Sequence, residues 1–145
     1  MDALDRQIMG VLLVDGRATY KEIGDEVGLS APAVKRRVDK LLASGEISGF
    51  TAVIDPHVLG WHTEAYVEIS YKGNVPNSRL TQDLERIPQV VGVWSVSGEA
   101  DALVHVMATT MADVEQAVEQ MRKTQGVDRT RSAIVMSRLL ERPRT

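Results

Sequence analysis

The 145-residue sequence contains no cysteine. Disulfide bonds, thiolate-ligated zinc and cysteine nucleophiles are therefore excluded. No apolar run approaches the ~20 residues that a membrane-spanning helix needs. The N-terminal residues MDALDRQIMG are acidic and amphipathic, unlike a secretion signal with its basic start and apolar block. We therefore expect a cytoplasmic protein that has no membrane partner.

Recognisable catalytic and metal-binding motifs are also missing from the sequence. There is no nucleophile elbow, phosphate-binding loop or zinc-protease motif, so we expect no catalytic residues and no cofactor. The three histidines, His57, His62 and His105, show no metal-ligand spacing. His105 lies inside an apolar run, where a hydrogen-bonded structural histidine is the simpler interpretation.

The net charge of −3 at first argues against a nucleic-acid partner. The Debye length at physiological salt is only ~8 Å, however, so the local charge decides. Between Lys35 and Lys40 there are four basic residues and one acid, Asp39. The first fifty residues together hold seven Lys or Arg and eight Asp or Glu. We therefore expect weak nucleic-acid contact per protomer and dependence on dimers or larger assemblies.

Three helices are predicted in the first fifty residues: Ala3–Val14, Tyr20–Val27 and Ala31–Ser44. Each follows a capping residue, and the second and third end at a glycine. The predicted caps are Asp2, Thr19 and Ser30, and the glycines are Gly28 and Gly45. Two short helices joined by such a tight turn are typical of a helix-turn-helix, whose second helix enters the DNA major groove.

The helix Ala31–Ser44 divides into two faces when its residues are projected at 100° each. Val34, Val38, Leu41 and Leu42 form the apolar face and are predicted to be core. The opposite face has small side chains at the start of the helix and cationic side chains farther along. The small side chains let the backbone approach base edges, and Arg36 can reach guanine or phosphate. The predicted DNA-contacting residues are Ser30, Ala31, Pro32, Lys35, Arg36, Arg37 and Lys40.

Two alternatives to DNA contact remain open for this helix. The cationic residues can simply form a solvated face, as charge runs usually do. Arg37 flanks the apolar stripe, and its position also suits a salt bridge within the domain.

The second half of the chain changes from helical to alternating periodicity. We divide the chain into a helix-turn-helix domain, 1–50, a connecting strand or linker, 51–61, and a second domain, 62–145. Phe50, Ala52 and Ile54 alternate with other residues and suggest a strand in the connection, which Asp55-Pro56 ends.

The second domain reads strand, helix, strand, strand, helix, strand. The predicted strands are Thr63–Tyr71, Val90–Ser97, Ala102–Ala108 and Arg129–Leu140, and the helices are Ser78–Ile87 and Met111–Thr124. Met107, Met111 and Met121 are interpreted as core fillers, and Trp61 and Trp94 as packing or interface residues. The fold class is therefore α+β, with a βαββαβ ferredoxin-like antiparallel sheet that carries its helices on one face. We expect the other face to be apolar and to bind a second copy of the chain.

Three segments of the sequence resemble the Lrp/AsnC family of regulators, also called feast/famine proteins. They are LDRQIMGVLLVDGRATYKEIGDEVGLSAPAVKRRVDKLLASGEISGFTAVIDPHVLG, VWSVSGEADALVHV and TRSAIV. The resemblance implies an N-terminal winged or plain helix-turn-helix domain followed by a βαββαβ effector domain. It also implies homodimers that form through the sheet, assembly to tetramers or octamers, and a response to free amino acids.

The resemblance further implies an effector site at the turn between the second and third strands of the sheet. Carried over to this sequence, that turn is Gly98, Glu99, Ala100 and Asp101. Asp101 would accept a hydrogen bond from an α-ammonium, and free backbone N–H groups would hold an α-carboxylate. Thr130 and Ser132 of the TRSAIV segment are candidate hydroxyl donors toward a neighbouring subunit's site. Family members often have an aromatic residue where this chain has Ala100. The alternative is a tight hairpin in which Asp101 bonds its own backbone.

The sequence thus favours a sequence-specific transcriptional regulator that binds double-stranded DNA and responds to an amino acid or related small molecule. One alternative is a low-specificity architectural DNA-binding protein. A remote one is an enzyme like the sirohaem decarboxylases, which resemble this architecture. Such an enzyme needs histidines and basic residues around a tetrapyrrole, and the predicted effector domain is poor in histidine.

Overall fold

The computed structural model describes residues 1–140. It divides into two compact units, Met1–Val53 and Ile54–Leu139. The first unit contains α1 (Ala3–Val14), α2 (Tyr20–Val27) and α3 (Ala31–Ser44). The second contains β1 (Thr63–Tyr71), α4 (Asn77–Leu84), β2 (Val90–Ser95), β3 (Ala102–Ala108), α5 (Met111–Lys123) and β4 (Val127–Ile134).

The three predicted helices of the first unit are confirmed with their boundaries. The side chains of Asp2 and Thr19 each accept a hydrogen bond from the backbone N–H of the third helical residue, Asp5 or Glu22. The side chain of that third residue in turn accepts a hydrogen bond from the backbone N–H of the capping residue. Ser30 occupies the cap position of α3, but its side chain makes no capping bond. The core of this unit is a small cluster in which every helix takes part: Ile8, Ile23, Val34 and Val38.

Two sequence predictions for the first half of the chain are wrong. Leu42 is 38% exposed in this chain rather than buried, because it lies at the edge of the apolar stripe of α3. The connection contains no strand: residues 48–55 have no regular structure, and residues 56–60 form turns. A strand needs a neighbour to receive its backbone hydrogen bonds. None pairs with Phe50–Ile54 among the described residues, so no wing follows α3 there.

The second unit is built on the predicted βαββαβ order. Its four antiparallel strands lie in the order β2-β3-β1-β4, which makes β1 and β3 central. Ala65, Val67 and Ile69 are fully buried on one face, where they pack with α4 and α5. The helices therefore cover one face of the sheet, as predicted.

Several element ends differ from the sequence predictions. The helix α4 ends at Leu84 and β2 ends at Ser95, three and two residues early. The last strand starts at Val127 and ends at Ile134, so residues 135–140 are described but are not strand, and residues 141–145 of the predicted domain lie outside the described residues. Met107 and Met121 are buried as predicted, but Met111 is 52% exposed because it opens α5 beside the N-cap.

The open face of the sheet is mixed in character, not apolar as expected. It carries a bidentate ion pair between Glu68 and Arg131 and a second network around Glu64. His105 Nε2 lies 2.6 Å from Glu64 Oε1, and the His105 ring stacks on Tyr66 at 4.6 Å. This confirms His105 as a hydrogen-bonded structural histidine. Although burial acts to raise it, the pKa of Glu64 is held below its usual value by Arg138 and His105.

No helix in the part of the chain that the structure describes is long and apolar enough to cross a membrane.

Candidate functional site

The turn between α2 and α3 sets the angle at which α3 is presented. Gly28 ends α2 in the left-handed region at φ 73°, which favours glycine. Gly24 is buried, and a Cβ built on it would lie 2.3 Å from the Leu29 carbonyl oxygen. Only glycine fits at position 24, because the backbone after α2 passes directly over it. Sequence reasoning missed this residue, although a glycine inside a helical pattern is itself a signal of close approach.

The solvent-facing side of α3 carries the cations predicted to contact DNA. Arg36 and Lys40 are exposed, and neither forms an ion pair among residues 1–140. Lys35 is also exposed, and its ammonium lies 2.6 Å from Asp39 Oδ2 one turn along the helix. Exposed pairs of this kind contribute little to stability, so Lys35 can exchange Asp39 for another anion at low cost.

Arg37 is placed differently from its neighbours. Its Nη1 lies 2.7 Å from Asp2 Oδ2 and 2.7 Å from Asp5 Oδ1, and its side chain is only 29% exposed. Asp5 is the buried charged residue of this unit, so Arg37 neutralises a carboxylate that burial would otherwise destabilise. The Asp5 backbone N–H and the Arg37 guanidinium lower the pKa of Asp2 to about 2. The structure favours the salt-bridge alternative for Arg37, which ties α1 to α3.

The start of α3 supplies the small side chains of the predicted DNA-contacting face. Ser30 and Pro32 are exposed and Ala31 is half-buried. Because the Ser30 hydroxyl makes no capping bond, it is available to an acceptor outside the chain. The N-terminal N–H groups of a helix also favour a phosphate.

The turn that follows β2 is tied to the end of β1 by Asp101. Its Oδ2 accepts the Tyr71 backbone N–H at 2.7 Å, and its own N–H donates to the Ile69 carbonyl at 2.9 Å. Gly98 has φ 134°, a conformation that L side chains rarely adopt. Asp101 thus has a structural bond across to β1 rather than to its own backbone, and one carboxylate oxygen is occupied by it.

A groove runs beside this turn across the open face of the sheet. Two depressions of about 360 and 190 Å³ meet at Glu68, Glu99, Ala100 and Arg131, which we call the charged groove. Arg131 Nε lies 2.8 Å from Glu68 Oε2, so these two charges are paired with each other. The other acid of the charged groove, Glu99, lies on the facing turn. The apolar lining beyond these residues comes from Val96 and Leu103. Arg129 lines the narrower part.

The two predicted hydroxyl donors lie on the opposite side of β4. Thr130 pairs with Ile69 and Ser132 with Val67, whose side chains are buried under the helices. The Thr130 hydroxyl accepts a bond from Arg122 of α5 at 2.9 Å. The side chains of Thr130 and Ser132 alternate with those of Arg129 and Arg131, because successive side chains of a strand point to opposite faces. Thr130 nevertheless lines the narrower part of the charged groove together with Arg129 and Arg131. That Thr130 and Ser132 donate toward a neighbouring subunit's site stays a prediction.

Comparison with known proteins agrees with both units. Residues 1–42 match the AsnC-type helix-turn-helix domain, and residues 64–145 match the Lrp/AsnC ligand binding domain. The chain belongs to the Lrp/AsnC family of transcriptional regulators. This confirms the resemblance that the sequence segments carried.

Individual relatives cover almost the whole chain. The HTH-type transcriptional regulator Rv2324 of Mycobacterium tuberculosis is 46% identical over 142 residues, which are 98% of this chain and 96% of that protein. The leucine-responsive regulatory protein of Rhizobium meliloti is 32% identical, over 94% of this chain and 89% of that protein. Among solved structures, the feast or famine regulatory protein Rv3291c of M. tuberculosis complexed with L-methionine is 33% identical, with a TM-score of 0.87 over 97% of this chain and 95% of that one.

Proposed function

We propose that this Lrp/AsnC-family regulator binds specific DNA sequences through α3, as a homodimer or a larger assembly, and that an amino acid modulates this binding from the charged groove. Two recognition helices of a dimer would enter the major groove at half-sites about one turn, ~34 Å, or a multiple of it apart. The proposal keeps a helix-turn-helix domain, 1–50, and an effector domain, 62–145, joined by the connection 51–61.

The observation that carries the DNA-binding proposal is the exposed cationic face of α3, on which Arg36 and Lys40 form no ion pair among residues 1–140. Arg36 and Lys40 face solvent, and the exposed Ser30 and Pro32 precede them. Arg37 contributes indirectly, because its carboxylate partners hold α3 against α1. With seven basic and eight acidic residues in the first fifty, one copy gives little net attraction for DNA. Two or more copies add their contacts, which supports binding as an assembly.

Replacing Arg36 tests this proposal directly. Arg36→Ala is expected to weaken binding to a specific site by about 1–3 kcal/mol if Arg36 reads a base, or to lower the salt slope by about 1 if it contacts a phosphate. Fluorescence anisotropy with labelled DNA at several salt concentrations distinguishes the two. Arg6→Ala is the matched control, because Arg6 is an exposed cation of α1. Equal affinity and equal salt slope in Arg36→Ala and the unmodified chain would remove Arg36 from the interface.

The charged groove supports an amino acid as the effector. A zwitterion needs an anion beside its ammonium and a cation beside its carboxylate, and charge-assisted bonds to both are strong. Glu99 offers the first from the turn, and Arg129 offers the second from β4. Arg131 can add to it by exchanging its exposed partner Glu68 for the carboxylate. Gly98 and Ala100 shape the turn, and Asp101, whose Oδ2 accepts the Tyr71 N–H, remains a proposed acceptor for the ammonium group. The related Rv3291c structure contains L-methionine.

The open face of the sheet supports assembly into homodimers, and from these into tetramers or octamers. Trp94 is 43% exposed at the edge strand β2, and Tyr66 and Leu103 are half-buried beside it. Exposed aromatic side chains of this kind are enriched in protein interfaces. Light scattering after gel filtration measures the assembly: a mass of one chain, 15.9 kDa, at micromolar concentration would contradict it.

A further inference from the structure

Two histidine side chains converge in the turn that precedes β1. His57 Nδ1 and His62 Nδ1 lie 3.1 Å apart, and the two rings are tilted by 32° with centroids separated by 5.3 Å. Both residues are exposed, so a solute can approach the two imidazoles. The two histidines are five positions apart in the sequence. This spacing fits no helical metal motif, and only the folded turn reveals their proximity.

The backbone of this turn is fixed independently of the contact between the rings. The N–H groups of Val58, Gly60 and Trp61 donate to carbonyls within the turn at 2.9–3.0 Å. The His57 N–H donates to Asp55 Oδ1 at 2.9 Å. The His62 N–H donates to the Ala108 carbonyl of β3 at 2.9 Å. The two imidazoles are thus carried by a preorganised segment, which lowers the conformational cost of holding a ligand between them.

The distance between the two nitrogens matches the bite of a chelate. Histidine nitrogens coordinate transition metals at about 2.0–2.1 Å. A cation about 2.1 Å from both nitrogens would subtend an N–metal–N angle of about 95°, given their separation of 3.1 Å. That angle suits two adjacent positions of an octahedral or tetragonal metal better than the tetrahedral angle of a structural zinc site.

We propose that His57 and His62 form a two-point binding site for a late first-row divalent cation of the Ni²⁺ or Cu²⁺ type. Both Nδ1 atoms bind the metal as lone-pair donors. A neutral ring that carries its proton on Nδ1 first moves it to Nε2 through solvent, with no net release, and a protonated ring gives up one proton to solvent. No group of three or more potential ligands occurs among residues 1–140. Water therefore completes the coordination sphere, and the bound cation stays open to exchange.

Titration of the tag-free, full-length chain with Ni²⁺ tests the site. Isothermal calorimetry is expected to give one Ni²⁺ per chain. Loss of a hydrogen-bond partner outside the coordination sphere typically costs 10–100-fold in metal affinity, so loss of a ligand is expected to cost at least about tenfold. His57→Ala and His62→Ala are each expected to show this loss. Val58→Ala is the matched control, since Val58 is exposed in the same turn and leaves both imidazoles in place.

A second measurement on the unmodified chain does not depend on how the variants fold. Paramagnetic Ni²⁺ is expected to broaden the imidazole NMR signals of His57 and His62 before those of His105, which is paired with Glu64. The proposal is overturned if Ni²⁺ does not bind, if both histidine variants bind it as tightly as Val58→Ala does, or if all three histidines broaden together.

Discussion

At the scale of single residues, α3 shows that equal charge does not imply equal role. Arg36 and Arg37 are adjacent in the sequence, but helical geometry directs them about 100° apart. Arg36 faces solvent, whereas Arg37 bonds two carboxylates of α1. The sequence predicted the outer position of Arg36 from periodicity alone. It left the role of Arg37 open, because the partners Asp2 and Asp5 lie more than thirty residues away.

The Asp2 carboxyl provides a direct probe of the contact made by Arg37. Its pKa is lowered to about 2, first by the Asp5 N–H and then by Arg37. A depressed pKa means that the charged form is favoured in the folded state. The associated stability is present above the unfolded pKa of about 3.9 and is lost as the pH falls through the folded value.

We expect a carboxyl NMR titration to place the midpoint of Asp2 near 2 and to move it upward in Arg37→Ala. The control is Arg36→Ala, which is expected to leave the midpoint in place. A midpoint near 3.9 in the unmodified chain, or one that does not respond to Arg37→Ala, would show that the ion pair does not form in solution.

At the scale of elements, periodicity and capping residues predicted the helices of the first unit to the residue. They are local signals, and α1, α2 and α3 obey them. Strand ends were predicted less well, because pairing with a neighbour decides where a strand stops. The supposed strand around Ala52 has the right alternation but no partner. The groove residues Glu68 and Arg131 were missed because the register between β1 and β4 brings them together across 63 positions of sequence.

Gly24→Ala tests whether the α2–α3 turn is as tight as the structure shows. The added methyl group would lie 2.3 Å from the Leu29 carbonyl oxygen, so the backbone must move. We expect a loss of about 1–3 kcal/mol in unfolding free energy, measured by urea denaturation. Gly10→Ala is the matched control, since Gly10 lies in α1 with open space around it and alanine favours helices. Equal stability of Gly24→Ala and the unmodified chain would contradict the close approach.

Asp101→Asn removes the negative charge of Asp101 but keeps an oxygen that can make its structural hydrogen bond. The amide oxygen can still accept the Tyr71 N–H, so the turn is expected to keep its conformation. If the charge holds an α-ammonium, the variant is expected to lose the effect of L-methionine or another effective amino acid on DNA binding but to bind DNA normally without it. Asp128→Asn is the matched control, since Asp128 is an exposed acid paired with Lys72. A full response in Asp101→Asn would exclude Asp101 from ligand recognition.

At the scale of the whole molecule, one chain joins two units to which we assign different tasks. The first is a small three-helix unit, with a core of four fully buried residues, that presents α3. The second has a larger core, and its open sheet face combines ion pairs, aromatic side chains and the charged groove. Because one copy carries little net attraction for DNA, specificity is expected to depend on assembly. A ligand in the charged groove regulates DNA binding only if it has different affinities for two states of the assembly.

Selection of bound fragments from sheared genomic DNA tests whether the protein binds specific DNA sequences. It is run at ~150 mM salt, where binding driven by phosphate contacts alone is weakened, with and without a mixture of amino acids. We predict enrichment of a short, roughly palindromic site near a few promoters, which Arg36→Ala loses and Arg6→Ala retains. Flat recovery across the genome under both conditions would contradict a sequence-specific regulator and favour an architectural DNA-binding protein.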